Sequence, residues 1–106
     1  MARVVWTEPA LSDLEAIADY IALENPTAAA MLVRRVYKHV GQLADHPESG
    51  SRPLDLDGNS RYRQIVEPPC RVFYRFDGST VWILYVMRAE RLLRDISLRD
   101  RDASIP

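Results

Sequence analysis

From Arg61 to Arg91 the chain reads as three strand-like runs in succession, and that stretch leaves few folds open. The runs cover about 61–67, 71–76 and 80–88. Pro68-Pro69 separates the first two. Asp77-Gly78, between Phe76 and Thr80, is a strong signal for a tight hairpin. Alternation assigns the faces. Val72, Tyr74 and Phe76 share one face of the middle run, and Arg71, Phe73 and Arg75 share the other. On the last run Val81, Ile83, Tyr85 and Met87 fall together, opposite Trp82, Leu84, Val86 and Arg88. Helices can cover only one face of so small a sheet. The second face keeps several large apolar side chains rimmed by arginine, and a lone chain rarely leaves such a patch in water. Either the C-terminal segment folds over it or a partner does. Both hold if a partner competes with that segment.

The N-terminal half supplies the helices. Arg3-Val-Val-Trp6 is a short β-type run. Thr7 then precedes Glu8-Pro9, a hydroxyl cap followed by proline in a first helical turn. Leu11, Leu14, Ile17, Ala18 and Ile21 recur at helical spacing, with Asp13, Glu15, Asp19 and Glu24 on the other face, which reads as solvated. Asn25-Pro26 ends this helix, and Pro26 opens a second. The second stripe runs Ala29, Leu32, Val33, Val36, Val40 and Leu43, with Arg34, Arg35 and Lys38 off it. Two amphipathic helices with almost no linker predict an antiparallel hairpin. His46 to Pro53 is a loop, continued to Ser60 by a turn at Asp57-Gly58-Asn59. A last helix is expected over about 89–100, with Leu92, Leu93 and Ile96 on one side and a tail at 101–106.

The fold class is therefore α+β, in the order β-α-α-β-β-β(-α), a helical hairpin on a small, mostly antiparallel sheet. The 106 residues suffice for a single domain spanning 1–106. No apolar run has the length of a membrane span, and the N-terminus lacks a signal-peptide pattern. The single Cys70 has no internal disulfide partner. These features predict a cytoplasmic protein, with no membrane association.

A net charge of −1 conceals a polarity. Residues 1–57 carry five basic and nine acidic groups, and residues 58–106 carry nine basic and six acidic. Thirteen of the fourteen basic residues are arginine, whose fork suits carboxylates and phosphates. Arg61, Arg63, Arg71, Arg75, Arg88 and Arg91, interleaved with Phe73, Trp82 and Leu84, are the candidate surface for a macromolecular partner. Tyr62 and Tyr74 read as core packing rather than base-stacking platforms. His39 and His46 have no neighbours at ligand spacing, so no metal site is expected. Ser49 and Ser51 lack the context of a nucleophile, and Cys70 reads as an idle thiol. No cofactor is implied.

Several of these pieces, in this order, resemble toxins of the RelE/ParE superfamily of bacterial type II toxin–antitoxin modules. The resemblance covers about residues 3–95. A Trp6-Thr7 opening leads to a helix matching the family's pattern at Ala10, Asp13, Leu14, Ile17, Tyr20 and Ile21. Asn25, Pro26, Ala28 and Ala29 match the start of its second helix. Arg71, Val72, Tyr74 and Arg75 match a characteristic strand. The resemblance implies a toxin held by a cognate antitoxin, of the ribbon-helix-helix type with an acidic tail that folds onto the toxin.

The superfamily divides by target. RelE-like members are endonucleases that cut mRNA in the ribosome, and ParE-like members, including plasmid stabilisation proteins, inhibit DNA gyrase. Cleavage through a 2′-hydroxyl needs a base, an acid and cations for the phosphate. For a nuclease the matching cations are Arg63, Arg71 and Arg88. From Val86 to Pro106 there is no Tyr, His or Lys, and arginine hardly deprotonates. The resemblance therefore points to a ParE-like gyrase inhibitor, with the ribosome-dependent mRNA endonuclease as the alternative and a degenerate, non-toxic interaction module as a third. Arg88-Ala89 stands where many ParE-like proteins have His-Gly.

Overall fold

The computed structural model describes residues 1–105. Strand β1 (Arg3–Trp6) leads into helices α1 (Glu8–Ala22) and α2 (Pro26–Gly41), the latter extended by a 3-10 turn at Gln42–Ala44. Strands β2 (Tyr62–Glu67), β3 (Cys70–Phe76) and β4 (Thr80–Arg88) follow, and helix α3 (Asp95–Asp102) closes the chain. The sheet order is β1-β4-β3-β2. β2–β3 and β3–β4 are antiparallel, and β1 joins β4 in parallel, with Arg3 opposite Thr80 and Trp6 opposite Ile83. The α+β architecture and the order of its elements are those the sequence predicts.

Local chemistry explains the joints. Thr7 is extended, and its hydroxyl accepts from the amide of Ala10 at 3.4 Å while donating to the Ile83 carbonyl at 2.7 Å. One side chain thus starts α1 and ties it to β4. Asn25 caps α2 by accepting from the Ala28 amide at 3.0 Å. At the β3–β4 hairpin Gly78 takes φ +99°, open to glycine without cost. The Asp77 carboxylate accepts from the amides of Thr80 and Ser79 and from the Trp82 indole, and these donors push its pKa below the usual range.

The helical hairpin covers one face of the sheet. Ala10, Leu14, Leu32, Val36, Val40 and Leu43 meet Ile65, Val72, Tyr74, Val81, Ile83 and Val86 there. A second cluster lies on the outer face, where Tyr62, Phe73, Leu84 and Met87 are buried beneath Leu93 and Leu98. The C-terminal segment itself is therefore what covers that face.

Two expectations change here. The strict alternation expected along β4 breaks at Leu84. Phe73 pairs with Tyr85 and Tyr74 with Ile83, so Leu84 is an extra residue in a bulge. Beyond it the faces exchange: Tyr85 and Met87 join the outer cluster, and Val86 turns to the helices. Arg88 goes with them and lines a hollow with Tyr20, Leu23 and Asn25 at the α1–α2 turn. The last helix also starts later than expected, at Asp95 rather than 89. Residues 89–94 are turn and irregular chain, pinned where the Leu93 amide donates to Asp55 Oδ2 at 3.0 Å. Leu93 and Leu98 are buried, while Leu92 and Ile96, expected beside Leu93, are exposed. Of the expected tail at 101–106, residues 101 and 102 belong to α3, and Pro106 lies outside the described residues.

The loop before β2 is also fixed by named contacts. The Gly50 amide donates to the Tyr74 hydroxyl at 2.9 Å, and its carbonyl accepts from Arg63 Nη1 at 2.9 Å. A Cβ on Gly50 would lie 2.5 Å from that hydroxyl and 2.7 Å from the Gln64 carbonyl oxygen. Gly50→Ala should therefore destabilise the fold by about 1–3 kcal/mol, since neither neighbour is free to move. A urea-denaturation midpoint equal to wild type would remove this loop from the structural frame.

Candidate functional site

The outer face was the expected site because arginines alternate with apolar residues there. The structure places three of them on it, Arg61, Arg71 and Arg75, and gives each an internal acid. Arg71 is 9 % exposed. Its Nη2 donates to Asp55 Oδ1 at 2.6 Å, its Nη1 to Asp55 Oδ2 at 3.2 Å and to the Arg91 carbonyl at 3.1 Å, and its Nε to Gln64 at 2.9 Å. The guanidinium also lies 4.8 Å from the Phe73 ring centre. This fork holds the Asp55 carboxyl at about 2, against the ordinary 3.8, with the Leu93 amide adding to the effect and burial opposing it.

Asp102 plays the same part for the other two. Its side chain is 4 % exposed, with Oδ1 2.9 Å from Arg75 Nε and Oδ2 2.7 Å from Arg61 Nη2. The Tyr62 hydroxyl donates to Oδ2 at 3.0 Å. Burial, ahead of the opposing hydrogen bond from Arg61, pushes the Tyr62 phenol above its ordinary pKa. The hydroxyl is a donor here, and no phenolate is at hand for proton abstraction.

A third clip joins α3 to the helical hairpin. Strand β1 stops at Trp6, which leaves the edge of β4 without a partner strand beyond Ile83. Asp13 and Arg101 satisfy it. Asp13 Oδ2 accepts from the Val86 amide at 3.0 Å, and Arg101 Nη1 donates to the Leu84 carbonyl at 2.9 Å. The two side chains bind each other through Nη1–Oδ2 at 2.6 Å and Nη2–Oδ1 at 3.1 Å, and the guanidinium stacks 4.1 Å from the Tyr85 ring centre. Asp13, expected on a solvated face, is thus a structural latch at a bulged strand edge.

The remaining site residues disperse. Arg63 faces the helix side and is bound to the Gly50 carbonyl. Arg88 sits by the α1–α2 turn, paired with Glu90 at 2.9 Å. Arg91 is exposed and Trp82 partly buried, whereas Phe73 and Leu84 are fully buried. The three cations assigned to a nuclease, Arg63, Arg71 and Arg88, therefore do not converge on one point. With the C-terminal segment seated, the accessible members of the expected surface are Arg61, Arg88, Arg91 and the edge of Trp82.

Other groups the sequence singled out are quiet. The thiol of Cys70 is buried, which raises its pKa. Tyr74 is core, its phenol raised by burial. Among the described residues no cluster of His, Cys, Asp and Glu could hold a metal ion, and no helix is long and apolar enough to cross a membrane. Sequence reading missed Asp55, Arg101 and Asp102, and saw Asp13 only as a solvated acid at a position matching the family's first helix.

Comparison with known proteins places this geometry among relatives. The sequence model of the ParE toxin of the type II toxin–antitoxin system parDE matches residues 4–93. Toxin RelE2 of Caulobacter vibrioides is 37 % identical over 92 residues, covering 87 % of this chain and all of that protein. Putative toxin Y4kP of Sinorhizobium fredii is 37 % identical over 89 residues, covering 84 % of this chain and 90 % of the relative. A chain of the chromosomal ParDE system of Pseudomonas aeruginosa superposes with a TM-score of 0.70 at 25 % identity, over 85 % of this chain and 98 % of that one. A chain of the RelBE2 toxin–antitoxin complex of Mycobacterium tuberculosis does so with a TM-score of 0.55 at 25 % identity, over 82 % and 96 %.

Proposed function

The chain belongs to the ParE toxin family of type II toxin–antitoxin systems, within the RelE/ParE superfamily, and from that membership we propose that it acts by binding DNA gyrase rather than by cutting RNA. One observation carries the choice. The cations available for a phosphodiester reaction are scattered over two faces, and the most central of them, Arg71, is neutralised by Asp55. Of the two phenols on the outer face among the described residues, Tyr62 is raised in pKa and bound to Asp102, and Tyr85 is stacked against the Arg101 guanidinium. A binding toxin needs neither convergence nor a base.

Its partner is an antitoxin, as in the toxin–antitoxin complexes it superposes on. We take this antitoxin to be of the ribbon-helix-helix type with an acidic tail. Arg61, Arg88 and Arg91 are open to such a tail. Arg75, Phe73 and Leu84 become part of the contact only where the incoming segment replaces α3 with its Asp102, and Arg71 only where it also displaces Asp55 of the loop before β2. Coupled folding of a disordered acidic segment suits a face already shaped for acids and leucines. The site of action is the cytoplasm, where both targets are found.

A second reading is supported by the 37 % identity to a protein named RelE2. Two assays on the purified chain separate the readings. A supercoiling assay with gyrase should lose product as toxin is added. Primer extension on mRNA under translation should show no new 5′ ends. Cut sites in the mRNA, with supercoiling intact, would establish the endonuclease. Silence in both would leave the interaction module.

A further inference from the structure

With Arg61, Arg71 and Arg75 matched to acids, a second gathering of positive charge stands out on helix α2. Helix α2 has no acidic residue, and Arg34, Arg35, Lys38 and His39 fall within six consecutive positions on its solvent side. Among the described residues Arg34 and Lys38 have no ion pair, although both are exposed. Arg35 and His39 are held in place by one carboxylate at the end of β2. Arg35 Nε lies 3.2 Å from Glu67 Oε1, and His39 Nδ1 lies 3.1 Å from Glu67 Oε2. Arg35 Nη2 also donates to the Pro68 carbonyl at 3.4 Å. Arg35, Lys38, His39 and Gln42 line a shallow hollow of about 290 Å³ with Glu67. Its lining contains no apolar side chain. Tyr37, 45 % exposed, flanks Arg34 and Lys38 on the same helix.

We infer that this face of α2 is a docking surface for the phosphodiester backbone of a nucleic acid. The choice of occupant rests on chemistry. A phosphate needs donors and positive charge, which this hollow supplies, with Glu67 fixing the side chains rather than filling the space. An acidic protein segment that folds on binding needs an apolar groove for its anchor residues, and this hollow has none. The chain's net charge is −1, so attraction comes from the local patch rather than from the protein as a whole. A base unstacked from a single strand could lie on Tyr37. This inference stands apart from the choice of target, since it concerns the opposite face of the molecule from α3.

The test is fluorescence anisotropy with the full chain and two labelled probes, a short duplex DNA of arbitrary sequence and a single-stranded RNA. Binding should weaken steeply with salt. For three phosphate contacts, affinity falls about 40-fold between 50 and 200 mM salt. Arg34→Ala with Lys38→Ala should reduce the logarithmic salt slope by about 2 and weaken binding at low salt. Circular dichroism checks that α2 remains folded. Glu15→Ala with Asp19→Ala on α1, a control for net charge alone, should leave the slope unchanged. Tighter binding of RNA, lost with Tyr37→Ala, assigns the surface to single strands, and tighter binding of the duplex assigns it to DNA. The inference is overturned if neither probe binds at about 10⁻⁴ M, the weak end of non-specific binding. It is equally overturned if the Arg34/Lys38 variant matches wild type, or if a polyglutamate peptide binds this face while both nucleic acids do not.

Discussion

Replacing Asp102 by alanine should lift α3 from the sheet while the rest of the molecule stays folded. The carboxylate is almost fully buried and receives Arg61, Arg75 and the Tyr62 hydroxyl. Removing it strands the Arg75 guanidinium, which is 17 % exposed, and an uncompensated buried charge of this kind costs about 3–5 kcal/mol. The molecule has a way to escape that cost. Residues 89–105 can peel away and let water reach both guanidinium groups. The loss therefore appears as local opening rather than global unfolding. Amides of α3 should exchange at rates approaching those of an unfolded segment. Trp82, which packs against the outer cluster, should shift its emission to the red. A hydrophobic dye should report the uncovered Phe73 and Leu84. Asp102→Asn keeps an acceptor for Tyr62 and should give an intermediate response. Unchanged exchange in α3 together with unchanged tryptophan emission would show that the segment is held without Asp102, by Leu93, Leu98 and the Asp13–Arg101 clip.

How much of this was legible in the sequence depends on the range of the interaction. Strands β2, β3 and β4 appear within about a residue of their expected bounds, because alternation, Pro68-Pro69 and Asp77-Gly78 are local signals. The cap at Thr7 and the helix break at Asn25-Pro26 were legible for the same reason, whereas the capping role of the Asn25 side chain appeared only in the structure. The bulge at Leu84 was not, since an extra residue in one strand is defined only by its partner strand. That single residue moved Arg88 from the outer face to the helical hairpin and dispersed the expected arginine set. The acids that neutralise the outer face were also hidden. Asp13 and Arg101 are 88 positions apart, and Tyr62 and Asp102 are 40 apart. No periodicity records such pairings. Sequence reading found the charge on the sheet and missed its internal counter-ions, so the surface is less cationic than its composition implies.

The pair Asp55–Arg71 gives the second large effect, and pH reaches it directly. Arg71 first, with help from the Leu93 amide, lowers the Asp55 carboxyl from 3.8 to about 2, and burial opposes them. A carboxylate with a depressed folded-state pKa stabilises the fold above its unfolded pKa. That contribution is intact above about pH 4 and drains away as pH falls towards 2. A shift of nearly two units corresponds to about 2 kcal/mol. Asp55→Asn should remove a similar amount at neutral pH and flatten the dependence of stability between pH 4 and 2. Arg71→Ala should cost more, about 3–5 kcal/mol, because it leaves the buried Asp55 charge without its fork and deprives Gln64 and the Arg91 carbonyl of their donor. The paired change Asp55→Leu with Arg71→Met should cost less than the two single losses added, since no charge is left buried alone. Urea midpoints at pH 7, 4 and 3 measure all of these. If Asp55→Asn keeps the acid sensitivity of the parent chain, the titrating lock lies at another carboxylate, and the clip between the 54–57 loop and the C-terminal segment is only a packing contact.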